Sequence, residues 1–165
     1  MADRPLVKIC GLQRREDVLL ADELGADFLG FILSAGFSRT LPLHKARSLV
    51  ENIQSSKVAV LVDENPAYSV TAAEEIKAAI LQLHGDESPA VIKELRNRGD
   101  WLIWKVIRAK SMDDIHRIVD ACGNLVDGFL VEGWKKGVIG GGGAKLDLDS
   151  RGIHELLPAE TQFIL

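Results

Sequence analysis

Short apolar runs alternate with amphipathic helical segments along the chain, and this alternation constrains the fold more than any other feature. The apolar runs occupy residues 6–10, 27–33, 57–63, 78–84, 101–107, 126–132 and 161–165. The segments between them carry apolar residues at helical spacing. Strands that are apolar throughout are buried on both faces, and short strand-to-helix connections make successive strands parallel. The pattern predicts either a (β/α)8 barrel or a doubly wound open sheet.

Polar side chains stand where the apolar runs stop, and they favour one of these architectures. They are Lys8, Cys10, Asp63, His84, Arg108 and Glu132. In a barrel the connections after all strands converge on one mouth, whereas an open sheet gathers its site at one crevice. No GxGxxG motif follows the first strand, which argues against a dinucleotide-binding sheet. We predict a single TIM-barrel-type domain over residues 1–165, incomplete, with about six βα units and a seventh strand.

Composition excludes several classes of protein. The 165 residues are 47% hydrophobic and 27% charged, which suits one globular domain with a full core. A formal net charge of -4 argues against binding to nucleic acid or anionic membranes. The N-terminus lacks the apolar core of a signal peptide, and no run approaches a membrane span. We predict a cytoplasmic protein whose two cysteines, Cys10 and Cys122, form neither a disulfide framework nor a metal site.

Two of the predicted helices have recognisable first turns. Asp86 and Ser88 precede the fourth helix, and Ser111 opens the fifth. Serine and aspartate side chains accept hydrogen bonds from the free N–H groups of a first helical turn. We therefore expect these residues to cap the two helices.

Six motifs follow one another along essentially the whole chain: VKICG, GADFLGFIL followed by SR, LVDENP, LQLHGDE, KVIRAK, and VDGFLVEG followed by GGGG and LDL. In this order and register they resemble the motifs of the phosphoribosylanthranilate isomerase family of tryptophan biosynthesis. The resemblance implies an Amadori rearrangement of N-(5'-phosphoribosyl)anthranilate to 1-(2-carboxyphenylamino)-1-deoxyribulose 5-phosphate. A general acid opens the ribose ring and a general base removes the proton from C2'. Because no redox step occurs, no cofactor is required.

Cys10 matches the family's general base. An ordinary thiol has a pKa of about 8.5, so it acts as a base only where positive neighbours hold the thiolate. Lys8 shares a strand face with Cys10 and is interpreted as that neighbour and as a substrate-binding residue. Without the resemblance, the residues alone favour a cysteine that simply packs, because free cysteines are among the most buried residues.

Glu132 stands where the family has an aspartate as general acid. Its side chain is one methylene longer, so it donates the same proton from a shifted position. Because a displacement of about 1 Å can cost roughly 100-fold in rate, reduced activity or a different substrate is expected. The alternative is a solvated carboxylate at the rim.

Further binding residues follow from the same resemblance. Arg39 falls on an arginine that grips the anthranilate carboxylate with its planar donors, and Ser38 replaces the proline of the family's motif. Gln82 and His84 share a strand face, and they either line the substrate or belong to a satisfied core. For Asp63 and Arg108, an ion pair with each other at the rim is an equally good interpretation.

The end of the sequence carries two further expectations. Gly140, Gly141, Gly142 and Gly143 are interpreted as a lid over the substrate or as a phosphate-binding turn. The sequence stops in the seventh strand, so we expect the last helix, strand and helix of a barrel, with its phosphate loops, to be missing from it. A homodimer or another association would then cover the open edge. The alternatives to a working isomerase are an inactive barrel remnant and a related phosphosugar isomerase.

Overall fold

The computed structural model describes residues 4–133 and 150–164. Its strands are β1 (Lys8–Cys10), β2 (Phe28–Ile32), β3 (Ser56–Leu61), β4 (Ile80–Leu83), β5 (Leu102–Ala109), β6 (Gly128–Gly133) and β7 (Gln162–Ile164). Its helices are α1 (Arg15–Glu23), α2 (Leu43–Leu49), α3 (Pro66–Ile76), α4 (Pro89–Arg96), α5 (Met112–Cys122) and α6 (Ser150–Leu156). Each helix connects two strands, as the alternation predicts.

The strands form one parallel sheet in chain order, from β1 at one edge to β7 at the other. Every strand pairs with its neighbour in sequence, and Cys10, Gly30 and Val58 lie side by side in the first three strands. Sequential parallel order with helical crossovers is the arrangement of a (β/α) barrel rather than of a doubly wound sheet, whose strand order reverses. The predicted barrel type is confirmed, as an open half-barrel of seven strands.

The register gives the two faces of the sheet different cores. Side chains at odd positions, such as Phe31, Leu81 and Ile103, are fully buried in the larger core between the sheet and the helices. Side chains at even positions form a smaller inner core around Val58, Val60, Ile80 and Trp104. Successive residues of a strand point to opposite faces. The even positions at the strand ends therefore set the inner mouth.

Trp104 fills the inner face of the half-barrel. Its ring meets the ring of Phe28 edge-on, with the centroids 5.0 Å apart. Its indole Nε1 donates a hydrogen bond to Oε1 of Gln162 at 3.1 Å. A Cβ on Gly128 would lie 2.9 Å from the same indole nitrogen, so the missing side chain leaves the space that Trp104 occupies. Trp104 is therefore buried in the inner core, below the ends of the strands.

Ser88 and Ser111 cap their helices as predicted, and α3 has a further cap. Asp86 is not a cap, because its side chain pairs with Arg108 instead. Ser88 and Ser111 accept hydrogen bonds from Val91 N and Asp114 N, as expected. Helix α3 begins at Pro66, and the side chain of Asn65 caps it by accepting a hydrogen bond from Tyr68 N at 2.9 Å. Proline suits the first helical position since its missing N–H would be unpaired there. The sequence signal for this helix start is the pair Asn65 and Pro66.

The helices give no indication of a membrane span. None of those in the described part of the chain combines the length and the apolar character needed to cross a bilayer. The longest of them, α3 and α5, have 11 residues each.

Candidate active site

All six residues predicted for catalysis or substrate binding line one cavity of about 260 Å³ at the carboxyl ends of the strands. They are Lys8, Cys10, Arg39, Gln82, His84 and Glu132. Apolar side chains complete the wall: Ile32, Phe37, Val60, Val62 and Leu130. Five of them occupy even positions in or directly after a strand, and Arg39 lies in the loop between β2 and α2. The parallel sheet therefore brings all six to the same side. Their roles stay predictions.

Lys8 and Cys10 reach the cavity across an unoccupied position on the neighbouring strand. A Cβ built on Gly30 would lie 2.9 Å from Cys10 Sγ and 3.1 Å from Lys8 Nζ. The ammonium group and the sulfur therefore share the space above Gly30, and both residues are partly exposed. The second thiol, that of Cys122, is buried, and burial raises its pKa although Lys105 acts to lower it.

Arg39 is tied to the strand that carries the thiol. Its Nη1 donates to the backbone oxygen of Cys10 at 2.8 Å. Its guanidinium packs directly on Gly11, where φ is +79°, so a side chain there would be both strained and obstructed. Arg39 is exposed, and one hydrogen bond leaves other guanidinium donors for a ligand.

A hydrogen-bonded row leads to Glu132. Gln82 Nε2 donates to His84 Nδ1 at 2.9 Å, and His84 Nε2 lies 3.1 Å from Glu132 Oε1. With the Nδ1 nitrogen accepting, the hydrogen of the neutral ring sits on Nε2 and is donated to the carboxylate. Glu132 is partly buried and its side chain is 24% exposed. The structure therefore directs this carboxylate towards the inner mouth rather than into solvent.

A buried ion pair holds the loop that follows His84. Lys105 Nζ donates to Glu87 Oε2 at 2.9 Å and to the backbone oxygen of Gly85 at 2.7 Å. Glu87 Oε1 accepts from Gly85 N and from Asp63 N. The pair thus binds the peptide groups after β4 and β3 at once. Sequence reasoning missed it, although a lysine inside an apolar strand is a signal, since a buried charge needs a partner.

The interpretation of Asp63 and Arg108 as a rim ion pair is wrong. Arg108 Nη2 pairs with Asp86 Oδ1 at 2.7 Å. Asp63 instead accepts a hydrogen bond from Asp86 N at 2.6 Å, with its backbone in the left-handed region at φ +51°. Because Asp63 turns towards the backbone of the β4–α4 loop, the carboxylate left for Arg108 is that of Asp86.

Two further observations concern the glycine run and possible metal ligands. Gly140, Gly141, Gly142 and Gly143 lie outside the described residues. Within residues 4–133 and 150–164, no three His, Cys, Asp or Glu side chains come together as metal ligands would.

Fold and site together define a class of protein. A parallel βα sheet in sequential order, whose strand ends deliver a thiol, a carboxylate and cations to one mouth, is the frame of a barrel enzyme. Residues 7–165 match the sequence profile of the family described as N-(5'phosphoribosyl)anthranilate (PRA) isomerase. The chain belongs to this family.

Individual relatives agree with the family assignment. The N-(5'-phosphoribosyl)anthranilate isomerase of Caldanaerobacter subterraneus subsp. tengcongensis is 35% identical over 143 residues, which cover 86% of this chain and 67% of that protein. The enzyme of the same name from Bacillus subtilis is 32% identical, over 85% of this chain and 65% of that protein. The chain thus spans about two thirds of the length of these relatives.

Solved structures show the same fold. The phosphoribosyl anthranilate isomerase of Thermus thermophilus superposes with a TM-score of 0.76 at 28% identity, over 93% of this chain and 71% of that one. A second structure of such an isomerase, in complex with reduced 1-(o-carboxyphenylamino)-1-deoxyribulose 5-phosphate, has a TM-score of 0.71 at 26% identity, over 79% of this chain and 66% of that one. A structure of monomers generated from the dimeric phosphoribosylanthranilate isomerase of Thermotoga maritima has a TM-score of 0.69 at 28% identity, over 76% of this chain and 62% of that one.

Proposed function

We propose that this chain carries the acid–base site of an isomerase that converts N-(5'-phosphoribosyl)anthranilate into 1-(2-carboxyphenylamino)-1-deoxyribulose 5-phosphate. The observation that carries the proposal is the position of Cys10 and Glu132 in one cavity. They come from β1 and β6, which do not pair, so a small substrate can lie between them. Membership of the family and the bound product analogue in a relative support the same reaction.

The chemistry assigns one task to each of these two groups. Glu132, in its acid form, donates a proton to the ribose ring oxygen, and the C1'–O bond breaks to give a Schiff base. Cys10, as the thiolate, removes the proton from C2' to give an enolamine. The enolamine then tautomerises to the ketone. Atoms and electrons are conserved within the substrate, so the rearrangement requires no cofactor.

The cavity wall suits the two ends of such a substrate. Arg39 offers its free guanidinium donors to the anthranilate carboxylate, and the half-buried ring of Phe37 lies in the same wall for the aromatic ring. Lys8 supplies positive charge beside the thiol. Binding by Gln82 and His84 belongs to the same proposal. Each already has a polar group engaged within the row, so their contacts to a substrate would be largely steric.

Turnover of N-(5'-phosphoribosyl)anthranilate by the purified chain tests the proposal. Cys10→Ala and Glu132→Gln should each lower kcat by about 100-fold or more, the usual contribution of a general base or acid. Cys122→Ala is the matched control, because this second thiol lies buried behind the sheet. It should leave kcat unchanged.

Two other outcomes would favour the alternatives. A chain that converts no phosphoribosylanthranilate, even when a peptide for an eighth strand is added, would favour an inactive remnant. The second outcome would favour a related isomerase: the chain converts another phosphosugar, but its gene does not restore growth of a tryptophan auxotroph that lacks phosphoribosylanthranilate isomerase.

Association over the open side of the half-barrel is the second part of the proposal. Beside β1 and α1 lies a groove of about 850 Å³ whose apolar wall includes Val7, Ile9, Leu20 and Leu24. Leu24 is 77% exposed and Leu20 is 55% exposed. Strands β1 and β7 each have one unpaired edge, and an exposed edge with bare apolar surface promotes association. A second copy of the chain is the proposed cover for this groove.

Sedimentation velocity over a range of concentrations tests the association. Leu20→Asp combined with Leu24→Asp should convert the associated species to monomer, whereas Leu102→Asp, at an exposed site on β5, should not. A wild-type chain that is monomeric at all concentrations would refute the association.

The cytoplasmic location also stays a prediction, supported by the biosynthetic role of the family.

A further inference from the structure

The loop between β2 and α2 is closed on itself by the side chain of Thr40. Its hydroxyl Oγ1 donates a hydrogen bond to the backbone oxygen of Ser34 at 2.6 Å and accepts one from Phe37 N at 3.2 Å. Its backbone N donates to the oxygen of Phe37 at 3.1 Å. Thr40 therefore binds both the N–H and the C=O group of Phe37 and joins them to the beginning of the loop.

Both ends of this loop are fixed to the sheet. At its end, Leu41 N donates to the oxygen of Ile32 at 2.9 Å, which returns the chain to β2. At its beginning, Ser34 Oγ accepts a hydrogen bond from Val62 N, directly after β3, at 2.9 Å. Ser34 and Leu41 are each only 1% exposed, whereas Gly36 between them is exposed. The hydroxyl of Thr40 thus connects a buried base to the exposed part of the loop.

The exposed part of the loop supplies one wall of the cavity, through Phe37, Ser38 and Arg39. The hydrogen bonds to Thr40 fix the backbone of Phe37. The guanidinium of Arg39 is held by the oxygen of Cys10, and its backbone directly precedes Thr40 in the chain. A displacement of Thr40 would therefore move the aromatic and the cationic parts of this wall together.

We infer that Thr40 is a positioning residue for the aromatic carboxylate end of the substrate. The inference rests on the proposed function, in which Phe37 meets the anthranilate ring and Arg39 pairs with its carboxylate. Thr40 is not among the residues that line the cavity, so it acts through these two. A loop that is ordered before binding loses less conformational freedom when the ligand arrives, and it binds that ligand more tightly. The hydroxyl thus contributes to affinity rather than to the chemical step.

The substitution Thr40→Val removes the hydroxyl and keeps the branched shape of the side chain. Ser34 O and Phe37 N then lose their partner, and the loop should open so that water can pair with them. We expect Thr40→Val to raise KM by roughly tenfold, the effect of about one charge-assisted hydrogen bond to the ligand. The value of kcat should not change, which is the signature of lost binding. Thr40→Ser keeps the hydroxyl and should retain the wild-type KM.

The matched control is Thr71→Val. Thr71 is exposed on α3, and its hydroxyl also donates to a backbone oxygen, that of Ala67, at 3.1 Å. Its replacement should change neither KM nor kcat. Thr40→Ala is a second variant without the hydroxyl, in case urea unfolding shows that Thr40→Val does not fold.

Two product analogues show which end of the ligand is affected. One is reduced 1-(o-carboxyphenylamino)-1-deoxyribulose 5-phosphate, with which a solved relative is in complex. The other is the same compound without its carboxylate, which cannot pair with Arg39. In calorimetric titrations, Thr40→Val should raise the Kd of the first analogue by roughly tenfold and that of the second by less. An equal loss for both analogues would mean that Thr40 acts on the whole site, and it would overturn the inference.

Hydrogen exchange of the Phe37 amide reports on the loop without any ligand. In Thr40→Val this amide should exchange about fivefold faster than in the wild type, the value of roughly one net hydrogen bond. Thr40→Ser should exchange at the wild-type rate. Equal rates in the wild type and in Thr40→Val would show that the hydroxyl does not hold the loop, and would overturn the inference.

The failure of the proposed function is a different result. A wild-type chain that neither converts N-(5'-phosphoribosyl)anthranilate nor binds the first analogue would refute that function, and with it the role of Thr40 in binding. A wild-type chain with turnover, whose KM survives Thr40→Val and Thr40→Ala, would refute the role of Thr40 alone.

Discussion

Lys105 and Glu87 form an ion pair of 2.9 Å in which the side chains are only 5% and 2% exposed. Lys105 lies at an odd position of β5, on the helix side of the sheet, and Glu87 reaches it from the β4–α4 loop. A buried pair gains little net free energy over apolar residues of the same shape, but each partner is costly alone. The pair therefore fixes the position of the loop more than it stabilises the fold.

Removal of one partner should be far more damaging than removal of both. Lys105→Met leaves the Glu87 carboxylate buried and should lower the free energy of unfolding by about 3–5 kcal/mol. Adding Glu87→Gln should restore a substantial part of this loss, which urea unfolding would measure. Arg98→Met, which breaks the exposed pair with Glu94, is the control and should cost at most about 1 kcal/mol. Equal losses in the single and double variants would contradict the prediction.

A methyl group on Gly30 should push the thiol out of place. The added Cβ would meet Cys10 Sγ at 2.9 Å and the Cys10 backbone at 3.3 Å, so Gly30→Ala requires β1 or its side chains to shift. We expect a loss of stability of about 1–3 kcal/mol from overpacking and a fall in kcat of roughly 100-fold from the displaced base. Steady-state kinetics and the rate at which Cys10 reacts with a thiol reagent, in a Cys122→Ala background, measure both effects. An unchanged kcat would show that the sulfur position is not critical.

Replacement of Arg39 by lysine tests the carboxylate contact. Lysine keeps the charge but loses the planar fork, so it cannot hold both the Cys10 carbonyl and a carboxylate in the same geometry. Arg39→Lys should raise KM by about tenfold, the loss of one charge-assisted hydrogen bond of about 1.5 kcal/mol, with a smaller effect on kcat. Arg14→Lys, at the exposed start of α1, is the matched control. A change confined to kcat would argue for a role in the chemical step instead.

Asp22 should make the stability of the chain depend on pH. Burial acts to raise the pKa of this carboxyl, but hydrogen bonds from Ser55 and Gln54, with Lys57 nearby, outweigh it and lower the pKa below its ordinary value. A carboxyl whose pKa is lower in the folded state contributes stability above its unfolded pKa of about 3.9. That stability is lost as the pH falls through the folded pKa.

The variant Asp22→Asn should therefore be destabilised at pH 7 by roughly 1 kcal/mol, because the charge-assisted part of its hydrogen bonds to Ser55 is lost. At pH 3 the difference from the wild type should shrink. Urea unfolding at both pH values measures it, with Glu23→Gln on the same helix as the control. An equal loss at both pH values would mean that the contribution of Asp22 is not electrostatic.

The cavity was predictable because two simple periodicities define it. Parallel strands place their carboxyl ends together, and side chains two residues apart share a face. Lys8 and Cys10, Gln82 and His84, and Glu132 all occupy even positions, so identifying the strands was enough to bring them to one mouth. Arg39 lies in a loop, and its place there depended on the family resemblance.

Contacts that depend on loop conformation cannot be predicted from the periodicity of the strands. The left-handed backbone of Asp63 turns its carboxylate towards Asp86 N, which no local pattern announces, so the predicted pair with Arg108 was wrong. Gly30 and Gly128 are needed because of neighbours on adjacent strands, and those neighbours are known only when the register is known. The Lys105–Glu87 pair joins a strand to a loop in the same way.

The strand order has a consequence for how the chain acquires its structure. Because each strand pairs with the one made just before it, the sheet can grow at its advancing edge as residues leave the ribosome, with only one short crossover to close at each step. The advancing edge exposes unpaired N–H and C=O groups until another strand pairs with it. We therefore expect ribosome-bound chains to gain protease resistance in steps of one βα unit, and to need protection by chaperones throughout.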